Sequence, residues 1–269
     1  MAITDVEFMK TKDGKVALCI IHDLSDELKL LIRKDLSTVC HGAAKVASGN
    51  KIYSYKSTLK AFLSRYETKT EKTKTGMIGE LLCHITLYHF YTNLKPASPF
   101  FNMEEGSIKK GFDLIAIEKG GKGFYFTEVK SGKVGKLDKD KKIHALIDLA
   151  KTDLEDRIPN SDSTLWYSAI NNVELSLESG KPEKTILINC LSEFFEAAES
   201  GTDKTGDARV ILVPVLFEST TNTLDLSTLI SKSSNIQSNK TFCDCIVFAI
   251  QKSTLEKVEE FLKIESTLP

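Results

Sequence analysis

Residues 109–133 read KKGFDLIAIEKGGKGFYFTEVKSGK. Two apolar, β-branched and aromatic runs, Phe112 to Ile117 and Phe124 to Val129, flank Gly120-Gly121, which is the pattern of a β-hairpin. With the turn centred on the glycine pair, Lys119 faces Lys122, and counting outward sets Asp113 opposite Glu128. Side chains alternate along a strand, so Lys130 shares the face of Glu128 and three polar groups converge on one side. The remaining hairpin positions are apolar on both faces: Ile115, Ile117, Phe124 and Phe126 on one, Phe112, Leu114, Ala116, Tyr125 and Val129 on the other. This predicts a central hairpin covered on both sides. Two like charges in a partly dry place repel and lose hydration, so a cation is expected to neutralise them. Oxygen ligands of this kind suit Mg²⁺ or Mn²⁺.

Upstream, the spacing predicts a helix over about Thr75 to Thr92 that is apolar almost all round, through Met77, Ile78, Leu81, Leu82, Ile85, Leu87 and Phe90. Glu80 stands out in it. Taken alone, a Glu near a helix N-terminus complements the dipole; beside a metal motif it becomes a candidate third carboxylate. His84, one turn on, reads as a core histidine or as a contact to substrate.

Asp113, then Glu128-Val129-Lys130, with Glu80 in Gly76-Met77-Ile78-Gly79-Glu80-Leu81-Leu82, resemble the D…(D/E)xK signature of the PD-(D/E)xK nuclease superfamily. Gly111-Phe112, rather than proline, precedes the Asp, a departure that many members share. More narrowly, the order of the GE-LL helix, the GFD strand and the E-x-K strand resembles the small nuclease subunit of the Hachiman anti-phage defence system. The likeness covers about residues 75 to 135. It implies an α/β fold, a mixed sheet with flanking helices around a PD-(D/E)xK core. It also implies cleavage of DNA with Mg²⁺ (or Mn²⁺), and a helicase partner. Asp113, Glu128, the Val129 carbonyl and Glu80 would hold the metal, and Lys130 would orient the attacking water and stabilise developing charge.

Composition is that of an ordinary globular chain: 269 residues, 41% hydrophobic and 27% charged. The net charge of −1 is unevenly spread. Lysines crowd both sides of the motif, and Lys72, Lys74, Lys109, Lys110, Lys133 and Lys136 are the candidates for a phosphate backbone. Any one of them alone reads as a solvated surface charge. From residue 145 onward the balance turns acidic, which makes that part a candidate docking surface. The six cysteines include no CxxC pair. No signal-peptide core follows Met1, and no apolar run approaches the roughly 20 residues of a membrane helix. A cytoplasmic protein with reduced thiols is expected.

Along the rest of the chain we expect a strand at Val16 to Ile21, a helix from about Ser25 to Val39, and a short helix after Ser57. A mobile basic loop is expected over Glu67 to Thr75, and a strand around Phe100 to Met103. A long helix follows over Lys136 to Ile158. Beyond it come strands at Thr185 to Cys190, Ala208 to Phe217 and Thr241 to Ile250, and helices at Ser192 to Glu199 and Ser253 to Ile264. The last is expected to carry a Ser253/Glu256 capping box, and one short helix is allowed between Thr220 and Lys240. Residues 1–70 read as an accessory strand and helices, and 71–269 as a nuclease-like core with an α/β extension, possible also as one continuous domain. No P-loop, GxSxG elbow or HExxH is present. A subunit that binds nucleic acid or a protein without cutting is the competing reading.

Overall fold

The structure, a computed structural model, describes residues 3–100, 111–121, 123–135, 137–253 and 255–268. In chain order its elements are β1 (Val6–Lys10), β2 (Val16–Ile21), α1 (Asp26–His41), α2 (Ala43–Ala47), α3 (Tyr55–Glu67), α4 (Glu71–Phe90), β3 (Leu94–Pro96), β4 (Leu114–Glu118), β5 (Phe124–Lys133), α5 (Lys139–Arg157), α6 (Ser163–Ser176), α7 (Pro182–Glu199), β6 (Arg209–Phe217), α8 (Leu226–Ser238), β7 (Asp244–Lys252) and α9 (Glu256–Thr267).

The strands form one mixed sheet in the order β1-β2-β7-β6-β5-β4-β3. β2, β7, β6 and β5 run parallel, and the hairpin β4-β5 and the edge pairs are antiparallel. β6 (RVILVPVLF) is almost wholly apolar, as a parallel strand covered on both faces must be. Val213, Val215, Ile250 and Val129 pack beneath α1, α3, α4 and α9 on one face. Leu212, Val247 and Phe126 pack beneath α5, α6, α7 and α8 on the other. The expected α/β class with a mixed sheet and flanking helices is therefore what the chain adopts. The N-terminal strands belong to the same sheet, since β2 pairs directly with β7.

The hairpin has the register counted from its glycines. Leu114 pairs with Thr127, Ile115 with Phe126, Ala116 with Tyr125 and Ile117 with Phe124. Gly120 and Gly121 take φ of 90° and 70°, the left-handed region that a side chain disfavours.

Several expectations need correction. Thr185 to Cys190 is helical, inside α7, because Pro182 starts the helix at its first turn and Leu187 and Leu191 bury one face at helical spacing. The expected basic loop over Glu67 to Thr75 is mostly helix, since Thr70 caps α4 through the Thr73 amide and the helix begins at Glu71. Ser253 does not cap α9: its hydroxyl donates to the His22 carbonyl at 3.4 Å, and the cap is Leu255. Phe112 precedes the first residue of β4 and so escapes strand alternation. It packs on Phe126 and Trp166, on the face opposite Leu114. Cys243 lies just outside β7 and is exposed, whereas Cys245 is buried. The strand expected at Phe100 to Met103 falls almost wholly outside the described residues. β1, α2, β3 and α6 were not anticipated.

Lys252 ends β7 fully buried, and its Nζ has no hydrogen-bond partner among the described residues. Burial pushes its amine down to about 8, Asp23 acting against the shift and Lys257 adding to it. The unfolded chain, with an ordinary lysine near 10.4, then binds more protons between those two values, so this group makes stability rise with pH across that window. Below about pH 8 the penalty is complete. Lys252→Met is accordingly expected to be more stable than the parent at pH 7.5 by on the order of 2 kcal/mol, the gap closing as pH approaches 10.5. Urea unfolding of both proteins at several pH values checks this, and a gap that does not vary with pH would refute it.

Candidate active site

β5 outruns its hairpin partner. β4 pairs with it only as far as Leu114 and Thr127, whereas β6 accompanies it to Lys133. Past Thr127 the next backbone group on the hairpin side is the Val129 amide, and a side chain takes it: Val129 N–H donates to Asp113 Oδ2 at 2.8 Å. The Asp113 carboxylate thus continues the ladder where the strand stops. A strand residue's N–H and C=O point to the same side, so the Val129 carbonyl also faces this open edge.

Glu128 follows the alternation of Phe126 and faces α5. Its carboxylate is fully buried, yet both oxygens are bonded. Lys130 Nζ donates to Oε1 at 2.6 Å and Arg157 Nη1 to Oε2 at 2.7 Å. Lys130 Nζ also lies 2.5 Å from Asp153 Oδ2. Burial first, and then the neighbouring Asp113 charge, raise the Glu128 carboxyl above the ordinary range; Arg157 and Lys130 pull it back only in part. Burial works to lower Lys130, but Glu128 and Asp153 leave it raised on balance. Burial works to raise Asp153, and Lys130 with Arg157 leave it lowered.

Asp113, Glu128, Val129 and Lys130 are thus together. Glu80 belongs to α4, which packs on the opposite face of the sheet from Glu128 and Lys130. Among the described residues no group of three or more His, Cys, Asp or Glu side chains is placed to hold a metal ion. The pair suits a hard divalent cation: the donors are all oxygen, and the neighbouring Asp113 charge adds to burial in raising the Glu128 carboxyl.

α4 nevertheless bears on the site. Gly79 rests on β5, where an added Cβ would fall 1.8 Å from Ser131 Oγ and 2.9 Å from Ser131 Cβ. His84 is buried edge-on against Phe100, a core position.

Of the expected phosphate-binding lysines, Lys133 ends β5, exposed and 3.4 Å from Glu256. Lys72 is exposed in the first turn of α4, and Lys74 pairs with Glu71 at 3.0 Å, its ammonium over the Tyr66 ring. Lys109, Lys110 and Lys136 lie outside the described residues.

Sequence reading missed Asp153 and Arg157. They sit four residues apart on α5, continuing its buried stripe of Ile143, Leu146 and Ala150, and that polar pair on an apolar face was the available signal. Lys142 on α5 also reaches this side of β5. Its stem lies over Gly132, where a Cβ would come 2.9 Å from Lys142 Cε, and this places a second ammonium on the Lys130 face.

A search of the curated proteins finds no match. No helix among the described residues is long and apolar enough to cross a membrane. The family model of HamA, however, matches residues 3–263, almost the whole chain. The protein therefore belongs to the HamA family, whose members are associated with the Hachiman defence system.

Proposed function

We propose that this chain is a divalent-metal-dependent deoxyribonuclease, the effector subunit of a Hachiman complex, built on a PD-(D/E)xK core. The observation that carries the reading is the splayed end of the hairpin. There Asp113 takes the Val129 amide beside a fully buried Glu128, and Lys130 is on the same face. Asp113, Glu128 and the Val129 carbonyl would hold the ion. When bound, Mg²⁺ or Mn²⁺ would lower the pKa of a water and stabilise charge on the phosphate.

This chain's own residues do the rest. Lys130, gripped by Glu128 and Asp153, presents a fixed ammonium at the place where negative charge develops during phosphodiester hydrolysis. Lys133 and Lys142 extend positive charge along the carboxyl end of β5, where a strand of DNA would lie. A helicase subunit is the expected partner, and copurification of the two from cells carrying the whole system tests that part.

The catalytic part is tested by incubating the full chain with plasmid and linear DNA and with RNA. Cleavage of DNA in Mg²⁺ or Mn²⁺, stopped by EDTA and restored by added metal, is expected. DNA binding without cleavage in either metal, alone or with the helicase, would replace the nuclease by a binding subunit.

A further inference from the structure

The carboxylate proposed to take the metal is already met by two cations. Lys130 holds one oxygen of Glu128 and Arg157 the other, at 2.6 and 2.7 Å. The same Arg157 Nη1 donates to the Gly111 carbonyl at 3.0 Å, two residues before Asp113, while Nη2 lies 3.4 Å from Asp153. One guanidinium thus spans the approach to β4, the middle of β5 and the end of α5. Glu128 and Asp153 thus share the two cations Lys130 and Arg157.

A divalent ion reaching Glu128 would meet both of these cations, and repulsion between like charges would favour the departure of one of them. Lys130 is held by Asp153 as well, at 2.5 Å, whereas Arg157 reaches Asp153 only at 3.4 Å. Arg157 is the last residue of α5, and its side chain is 28% exposed on a long flexible stem. It has somewhere to go.

We propose that Arg157 is a latch on Glu128, occupying the position of a cation until a divalent ion displaces it. Metal binding and release of the guanidinium are then a single event, and Arg157 sets how much ion the site demands. The inference rests on the reading of Asp113 and Glu128 as a metal-binding pair.

Mn²⁺ binding to the full chain without nucleic acid, followed by the EPR signal of free Mn²⁺, separates the possibilities. Arg157→Met is expected to bind Mn²⁺ roughly tenfold more tightly or better, because no guanidinium then has to be displaced from Glu128. Arg157→Lys, which keeps the charge, is expected to stay near the parent. Glu128→Gln is expected to lose the site. Should Arg157→Met fail to fold, Arg157→Gln decides in its place, since it keeps a donor for the Gly111 carbonyl without the charge. Equal or weaker binding in the neutral variants, with Glu128-dependent binding intact in the parent, would overturn the latch and leave the metal pair standing. Loss of any Glu128-dependent binding in all these proteins would overturn the metal pair, and the latch with it.

Discussion

Lys130→Met is expected to slow metal-dependent cleavage of DNA by about 10²–10⁴-fold, the usual range for removing a positioned group that handles a proton or stabilises charge in the transition state. The substitution keeps most of the aliphatic stem and removes the ammonium from between Glu128 and Asp153. Two partly compensated carboxylates then remain, and a bound divalent ion can still neutralise them. The loss should therefore fall on kcat more than on KM. Lys133→Met is the matched control, since that ammonium is exposed at the end of the same strand. Its expected effect is weaker DNA binding and a shallower salt dependence, with little change in kcat. Single-turnover cleavage by both variants, with thermal melting to verify the fold, checks the contrast. Full activity in Lys130→Met would remove Lys130 from the chemistry.

Gly79→Ala is expected to destabilise the protein by about 2 kcal/mol, although alanine in a helix interior ordinarily gains about 1 kcal/mol over glycine. The reversal comes from the contact with β5. Rotating the Ser131 hydroxyl away relieves the 1.8 Å overlap, but the Ser131 Cβ remains at 2.9 Å, so either α4 or the strand carrying Glu128 must shift. Ser131→Gly opens the same space from the other side. The double variant should recover most of the loss, with a coupling energy of roughly 2 kcal/mol. Denaturant unfolding of the four proteins measures it. Additive effects would mean that the two residues do not press on each other.

How far the sequence reveals this arrangement depends on the range of the interaction concerned. The hairpin register is local: glycine chemistry sets the turn, alternation does the rest, and Asp113 and Glu128 come out adjacent. Phe112 shows the limit, because the strand starts two residues later than its apolar run and the ring turns to the other face. The Ile186-Leu187-Ile188 run was misread as a strand because a short apolar segment fits either period; Pro182 and the spacing from Leu187 to Leu191 were the better guides. The partners of Arg157 and Asp153 escape sequence reading for a different reason, although the polar pair itself marks the helix face. They lie 20 or more residues away, on a strand that meets α5 only when the sheet is assembled. Glu80 is suggested by the family pattern alone, and the apolar residues around it bury α4 on the other face of the sheet.

One divalent ion shared by Asp113 and Glu128 is the centre of the proposed chemistry. A crystal of the full chain soaked in Mn²⁺, with anomalous data collected, tests it most directly. The expected result is a single peak about 2.0–2.3 Å from a carboxylate oxygen of each residue, with the Arg157 guanidinium withdrawn from Glu128. Arg157 still seated on Glu128, with no manganese between the two carboxylates at saturating concentration, would contradict it.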